Sequence, residues 1–139
     1  MSTKTKKKTA PAKKSKSVPA NIIWFEIPAD DVKRAKKFYG ALFGWKINLI
    51  PGMSDYWHID TGGHDASPDG GMMARKQPQQ SITNYVNVAS VDKAAAKVVK
   101  LGGKICMART TVPHMGHFVI CQDTENNTFA VWEIDPGAK

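Results

Sequence analysis

Residues 22–45 read IIWFEIPADDVKRAKKFYGALFGW. The first six, Ile22-Ile23-Trp24-Phe25-Glu26-Ile27, are β-branched and aromatic apart from one carboxylate, which is the composition of a strand. Pro28-Ala29 ends it. Asp30 or Asp31 can then cap a helix, because a short carboxylate accepts from the free N–H groups of the first turn. Val32, Ala35, Phe38, Tyr39 and Leu42 recur at the spacing of one helix face, and Lys33, Lys36 and Lys37 fall on the other. Gly44 is the expected stop, since glycine enters the left-handed conformation that closes a helix. Three shorter strands follow at Lys46–Ile50, Tyr56–Thr61 and Gly71–Arg75, with turns at Pro51-Gly52 and across Gly62–Gly70.

The same order then returns. Tyr85–Ala89 reads as a strand and Ser90 as a cap. Val91, Ala94, Ala95, Val98 and Leu101 form an apolar helix face, and Gly102-Gly103 stops it. Lys104–Arg109, Phe118–Gln122 and Phe129–Glu133 are the strands after it, with a turn at Asn126-Asn127 before the last. Sliding one helix onto the other needs an offset of 59 residues, which sets Asp31 on Ser90, Val32 on Val91, Leu42 on Leu101 and Gly44 on Gly103. The expected fold is therefore α+β, with two βαβββ modules at about 21–76 and 82–135 in a domain spanning 21–135, and a short C-terminal tail at 136–139. A repeat of this length is a duplicated half-domain rather than a solenoid.

Outside the repeat lies residues 1–20, where Lys4, Lys6, Lys7, Lys8, Lys13, Lys14 and Lys16 stand without one acid. The whole chain has 20 basic residues, 12 acidic ones and a net charge of +8. Taking away the seven tail lysines leaves 13 basic residues against the same 12 acids, so the basicity belongs to the tail. Lysine, threonine, serine, alanine and proline cannot bury enough apolar surface to offset the entropy of ordering, and the tail is expected to be disordered. Lys4–Lys16 could hold DNA, RNA or another polyanion by counterion release, or simply keep the chain soluble. No aromatic residue interleaves the lysines to stack on bases. No run approaches the roughly 20 apolar residues of a membrane span, and no apolar stretch follows the basic residues as in a secretory signal. Cys106 and Cys121 form no CxxC or zinc-finger spacing. Two strand thiols fit a reducing, cytoplasmic setting.

The run Trp24-Phe25-Glu26-Ile27-Pro28-Ala29-Asp30-Asp31, with Phe38-Tyr39-Gly40 and Leu42-Phe43-Gly44-Trp45, resembles the first module of the vicinal oxygen chelate superfamily. That group includes glyoxalase I, bleomycin resistance proteins and extradiol dioxygenases. Gly70-Gly71-Met72-Met73, Tyr85-Val86-Asn87-Val88 and Leu101-Gly102-Gly103-Lys104 resemble its later landmarks. The stretch from Asp123 to Glu133 resembles the family's closing segment, but with Thr124 for a proline and Asn126 for a glycine. The resemblance implies a curved, cup-like mixed sheet and a homodimer. Its metal enzymes hold a divalent ion with four His or Glu side chains in the cup. The matching positions are Trp24, seven residues before Asp31, its repeat mate Thr83, and Ala130, seven after Asp123. The fourth lies in Gly71–Ala74, a stretch without His, Asp, Glu or Cys. Indole, methyl and a lone hydroxyl are poor ligands. No metal or other cofactor is expected, nor glyoxalase I or dioxygenase chemistry through one. His114 and His117 form a short His-x-x-His, read as an exposed turn because two ligands are too few.

Alternation along the strands assigns the faces. Ile23, Phe25 and Ile27 are expected beneath the first helix with Phe38 and Leu42. Ile22, Trp24 and Glu26 are expected in the cup, with Thr83, Tyr85 and Asn87 from the second module and Ala130 and Trp132 from the last strand. Tyr56 and His58 are further candidates, and Met72 or Met73 would add a flexible wall. The candidate ligand-binding residues are therefore Trp24, Glu26, His58, Tyr85, Asn87 and Trp132. An aromatic cavity with few polar groups suits a small aromatic or apolar molecule, and Glu26 could anchor a cationic one. The competing readings are a lyase or isomerase using Glu26 as base or a rebuilt metal site, and a nucleic-acid-associated protein acting through its tail.

Overall fold

Asp31 caps the first helix through Oδ1, which accepts from the Arg34 N–H at 3.0 Å. Ser90 caps the second in the same way, accepting from Lys93 at 3.2 Å. The computed structural model containing them describes residues 18–63 and 67–139. The lysines of the tail and His64 lie outside the described residues.

The chain runs β1 (Ile22–Ala29), α1 (Val32–Phe43), β2 (Lys46–Leu49), β3 (Tyr56–Asp60), β4 (Asp69–Ala74), β5 (Thr83–Asn87), α2 (Val91–Lys100), β6 (Lys104–Val112), β7 (Gly116–Gln122) and β8 (Thr128–Ile134). It is α+β, and the eight strands among the described residues form one mixed sheet in the order β2-β3-β4-β1-β5-β8-β7-β6. Within each module the first strand runs parallel to the last, β1 beside β4 and β5 beside β8. The modules join where β1 and β5 pair antiparallel, with Phe25 opposite Asn84. Those two positions are 59 residues apart, the offset of the repeat, so a local twofold axis passes through that pair.

Gly44 ends α1 at φ 75, where its N–H donates to the Gly40 carbonyl. A side chain there would meet the steric cost of the left-handed region. The second helix ends two residues earlier than its repeat mate, with Leu101 as the cap and Gly102 at φ 99. Glu133 adds a cap from outside, as Oε1 accepts from the Val91 N–H at 3.0 Å.

Each helix covers its own core. Ile27, Ala29, Ile47, Ile59 and Met72 are buried under α1 with Phe25, Val32, Ala35, Tyr39, Trp45 and Trp57. Val91, Val119, Cys121 and Val131 are buried under α2 with Val88, Ala94, Ala95, Val98 and Phe129. Several expectations are corrected. Phe38 and Leu42 do not pack under α1 but are 59% and 57% exposed. Trp45, just past the helix, fills that space instead, with its ring against Tyr39 at 5.4 Å and against Phe25 at 5.8 Å. Leu101 is also exposed, because it lies beyond the last helical turn. Met72 is core rather than cup wall. A register shift between Ile22 and Trp24 marks a bulge at Ile23. The extra residue breaks the alternation, so Ile23 turns to the cup and Ile22 lies exposed at the strand's end.

His117 is not an exposed turn residue. It lies on β7 at 5% exposure, with Nδ1 2.9 Å from the Thr111 hydroxyl and Nε2 2.8 Å from Asp135 Oδ2. His114 does occupy the turn, at φ 66, and remains exposed. Among the described residues no helix is long and apolar enough to cross a membrane.

Candidate functional site

Glu26 leaves β1 between Phe25 and Ile27, both of which pack under α1. Alternation therefore sends its carboxylate to the opposite face. There it enters a cavity of about 430 Å³ lined by Ile23, Trp24, Glu26, Ile50, Met53, Tyr56, Tyr85, Val112, Met115, Phe118 and Trp132. The wall draws on both modules, and exposed Met53 and Met115 stand at its rim.

Three donors converge around the carboxylate. The Tyr56 hydroxyl donates to Glu26 Oε2 at 2.6 Å, and the Tyr85 hydroxyl donates to Oε1 at 3.2 Å. The Trp24 indole N–H donates to the Tyr56 oxygen at 3.0 Å. Burial, and then the negative charge of Glu26, pushes both phenols well above the usual tyrosine range. They therefore stay protonated and serve as donors across ordinary pH. Tyr56 reaches Glu26 by lying over Gly71, which stands between them in the sheet: His58 pairs with Gly71, and Gly71 pairs with Glu26. A Cβ on Gly71 would collide with the Tyr56 ring, so the missing side chain is a condition of the contact.

The rest of the cavity is aromatic and aliphatic. Tyr85 meets Phe118 edge-on at 6.0 Å, and Phe118 lies nearly parallel to Trp132 with centroids 6.5 Å apart and planes 15° apart. Four residues singled out in the sequence, Trp24, Glu26, Tyr85 and Trp132, meet in this one wall. His58 stands behind it. Its ring stacks on Trp24 at 5.8 Å, and its Nε2 lies 3.0 Å from Asp69 Oδ2. Asp69 is held in turn through Oδ1, which accepts from the Thr61 N–H and hydroxyl at 3.1 and 3.2 Å. Asn87 is not part of the wall. It ends β5, where its N–H donates to the Asn21 carbonyl at 3.0 Å.

Sequence reasoning left Tyr56 outside the chosen set, although it is the nearest donor to Glu26. The signal was Gly71 on the neighbouring strand, since a missing Cβ beside a tyrosine strand leaves room for the ring to cross. Phe118, Val112 and Met115 were missed because they flank a turn whose sequence reads as polar. The alternation that put Trp132 in the cup also puts its cross-strand partner Phe118 there.

The positions at which related enzymes hold a divalent ion do not fit one here. The Trp24 nitrogen is a donor already bonded to Tyr56. Thr83 is buried, with its hydroxyl directed to the Ser81 carbonyl, and Ala130 is buried with only a methyl group. The fourth strand begins two residues earlier than expected and gains Asp69, but His58 and Thr61 hold that carboxylate. Among the described residues no group of three or more His, Cys, Asp or Glu is placed to hold a metal.

Comparison with known proteins gives a consistent picture. Residues 21–62 match a sequence family described as bleomycin resistance protein-like N-terminal. A glyoxylase-like domain-containing protein of Didymella fabae is 35% identical over 118 residues, covering 79% of this chain and 91% of that protein. The Mycobacterium bovis protein CFP32, described as a candidate glyoxylase, is 29% identical over 117 residues, which cover 81% of this chain and 45% of that protein. The chain thus spans about half the length of that relative. Among solved structures, a glyoxalase/bleomycin resistance protein/dioxygenase superfamily member from Vibrio splendidus superposes with a TM-score of 0.61 at 10% identity, covering 84% of this chain and 99% of that one. At that identity the likeness is one of fold.

Proposed function

This chain belongs to the glyoxalase-like, bleomycin-resistance-like group of the vicinal oxygen chelate superfamily, and on that premise we propose that it binds a small aromatic or apolar molecule in the cup without a divalent ion. One observation carries the reading. Among the described residues, a single polar cluster, Glu26 with its two phenols, sits in an otherwise aromatic and aliphatic cavity of about 430 Å³. Cavities of this size and character are typical of sites for small organic ligands, where apolar walls supply most of the affinity and a few polar groups fix the orientation. The amino acids at the family's metal positions support the metal-free form of the proposal.

The test is a titration of the full chain with uncharged aromatic probes such as 1-naphthol. Trp24 and Trp132 line the cavity, so a bound ring should quench tryptophan fluorescence saturably and raise Tm. Both effects should survive dialysis against EDTA. Trp132→Leu should weaken binding by roughly tenfold, about 1–1.5 kcal/mol for one lost aromatic contact. A broad probe panel without any shift in Tm would sink the binding reading. A stoichiometric transition metal in untagged protein would sink its metal-free form.

Two further parts of the proposal concern assembly and setting. The exposed stripe of Phe38, Leu42 and Phe43 on α1 is an apolar surface suited to a second copy of the chain, and sedimentation should then give the dimer mass. The thiols of Cys106, exposed, and Cys121, buried, are unpaired, which favours a reducing, cytoplasmic compartment. Any contact with nucleic acid we assign to Lys4–Lys16, where the excess charge of the chain resides. Removing residues 1–17 should then abolish DNA binding and its steep salt dependence.

A further inference from the structure

The donors and acceptors in the cup are unequally distributed, and the imbalance specifies the charge of the ligand. Three of the four side-chain donors in the wall are already engaged within the protein: the Trp24 N–H on Tyr56, and the hydroxyls of Tyr56 and Tyr85 on Glu26. Trp132 supplies the remaining N–H. Among the described residues no lysine, arginine or histidine lines the cavity, and the one charged side chain there is the acid Glu26. A carboxylate offers about four acceptor sites, and the two phenols occupy two of them. The unused capacity is therefore acceptor capacity with negative charge, surrounded by π faces that also attract positive charge.

We propose that the cup selects an organic cation, an aromatic or aliphatic ammonium whose N–H groups complete the acceptor sites of Glu26 while its apolar part lies against Phe118 and Trp132. The proposal rests on the binding reading above and deepens it. An anion would lose its hydration for one indole N–H and would meet the Glu26 charge in a low-dielectric setting, which is unfavourable on both counts. An uncharged alcohol could donate one hydrogen bond but would forgo the charge-assisted strength of an ammonium. The phenols contribute by staying protonated. Because burial and the Glu26 charge oppose their ionisation, they hold the carboxylate in place without adding negative charge.

Three probes that share a benzyl group separate the possibilities: 2-phenylethylammonium, 2-phenylethanol and phenylacetate, each titrated into the full chain at pH 7 and followed by calorimetry. The ammonium should bind roughly tenfold or more tightly than the alcohol, and phenylacetate should not bind measurably. In Glu26→Gln the ammonium should lose its advantage over the alcohol, whatever the change in the alcohol itself. Should that variant fail to fold, the wild-type ranking alone still decides. Alcohol and ammonium binding equally well, or phenylacetate binding best, would overturn the charge inference and leave the binding reading standing. If none of the three binds while 1-naphthol does, the cation inference also fails, and if naphthol fails as well the binding reading falls with it.

Discussion

Glu26 in the first module holds the place that Tyr85 holds in the second, Gly71 the place of Ala130, and Tyr56 the place of Phe118. The sheet pairings establish the match: Glu26 pairs with Gly71 as Tyr85 pairs with Ala130, and Tyr56 pairs with Met73 as Phe118 pairs with Trp132. The backbone plan is thus shared, but the side chains diverge. In the first module a bare glycine lets a tyrosine cross the strand and bond a carboxylate. In the second, a methyl group, a phenylalanine and a tryptophan make a face without charge. The cup has a polar pole and an apolar pole because equivalent positions were filled differently, and a ligand lying between them has only one sensible direction.

The cores beneath differ too, and the largest expected effect lies there. Ile59 and Cys121 are equivalent positions, both fully buried. Ile59→Ala should cost about 2–5 kcal/mol in urea unfolding, with the m-value unchanged. Cys121→Ala removes a single sulfur and should cost less. Equal losses would mean that the two cores tolerate cavities differently from what burial implies.

Gly71→Ala makes the first module like the second at the strand beside Glu26. The new methyl must displace the Tyr56 ring, so stability should fall by about 1–3 kcal/mol, as for other overpacked sites. The converse change Ala130→Gly creates no clash and should fall short of that. The phenols give a finer contrast. Tyr56→Phe leaves both the Trp24 N–H and one Glu26 oxygen without a partner, at a cost of about 1–3 kcal/mol. Tyr85→Phe removes one longer bond and should cost about 0.5–1.5 kcal/mol. A larger loss at Tyr85 would reverse the assignment of Tyr56 as the principal holder of the carboxylate.

The smallest effect separates the modules by acid sensitivity. Asp123 and Asp135, both in the second module, have carboxyls held below the usual range. For Asp123 the main causes are the N–H groups of Asn127 and Glu125, and for Asp135 the hydrogen bond from His117. A depressed pKa contributes stability that is present above the unfolded value of about 3.9 and is lost as pH falls through the folded value. Asp135→Asn should therefore lower stability at neutral pH slightly and flatten its decline below about pH 4. An unchanged acid profile in Asp135→Asn would argue that solvent on the Asp135 side screens the pair fully.

Much of this architecture could be read from residue spacing, and the particular residues show why. The cap Ser90 and the stop at Gly44 are local chemistry and fell where the spacing put them, and of the two candidates Asp30 and Asp31 it is Asp31 that caps the first helix. Where a position depends on a distant residue, reading along the chain fails. Phe38 and Leu42 lie on the apolar side of their helix, but Trp45 occupies the space they would have filled. The bulge at Ile23 follows from the fit of β1 to β5 and leaves no mark in the composition of β1. His117 looks like half of a turn motif until Asp135, 18 residues on, is seen to hold it. At the site, strand alternation was enough for Trp24, Glu26, Tyr85 and Trp132. Tyr56 required the register of β3 against β4, which a five-residue strand does not reveal by itself.

The hydrogen bond from Tyr85 to Glu26 has a consequence for the descent of the fold. The two positions are repeat mates, 59 residues apart, facing each other beside the local twofold axis at Phe25 and Asn84. In a symmetric pair of separate half-length chains, each position next to the axis confronts its own copy. Glutamate would have met glutamate there, and tyrosine would have met tyrosine. Only after one half had become two distinct copies could mutation set an acid against a phenol, so on a descent by duplication the asymmetry of the cup is younger than the duplication that built it.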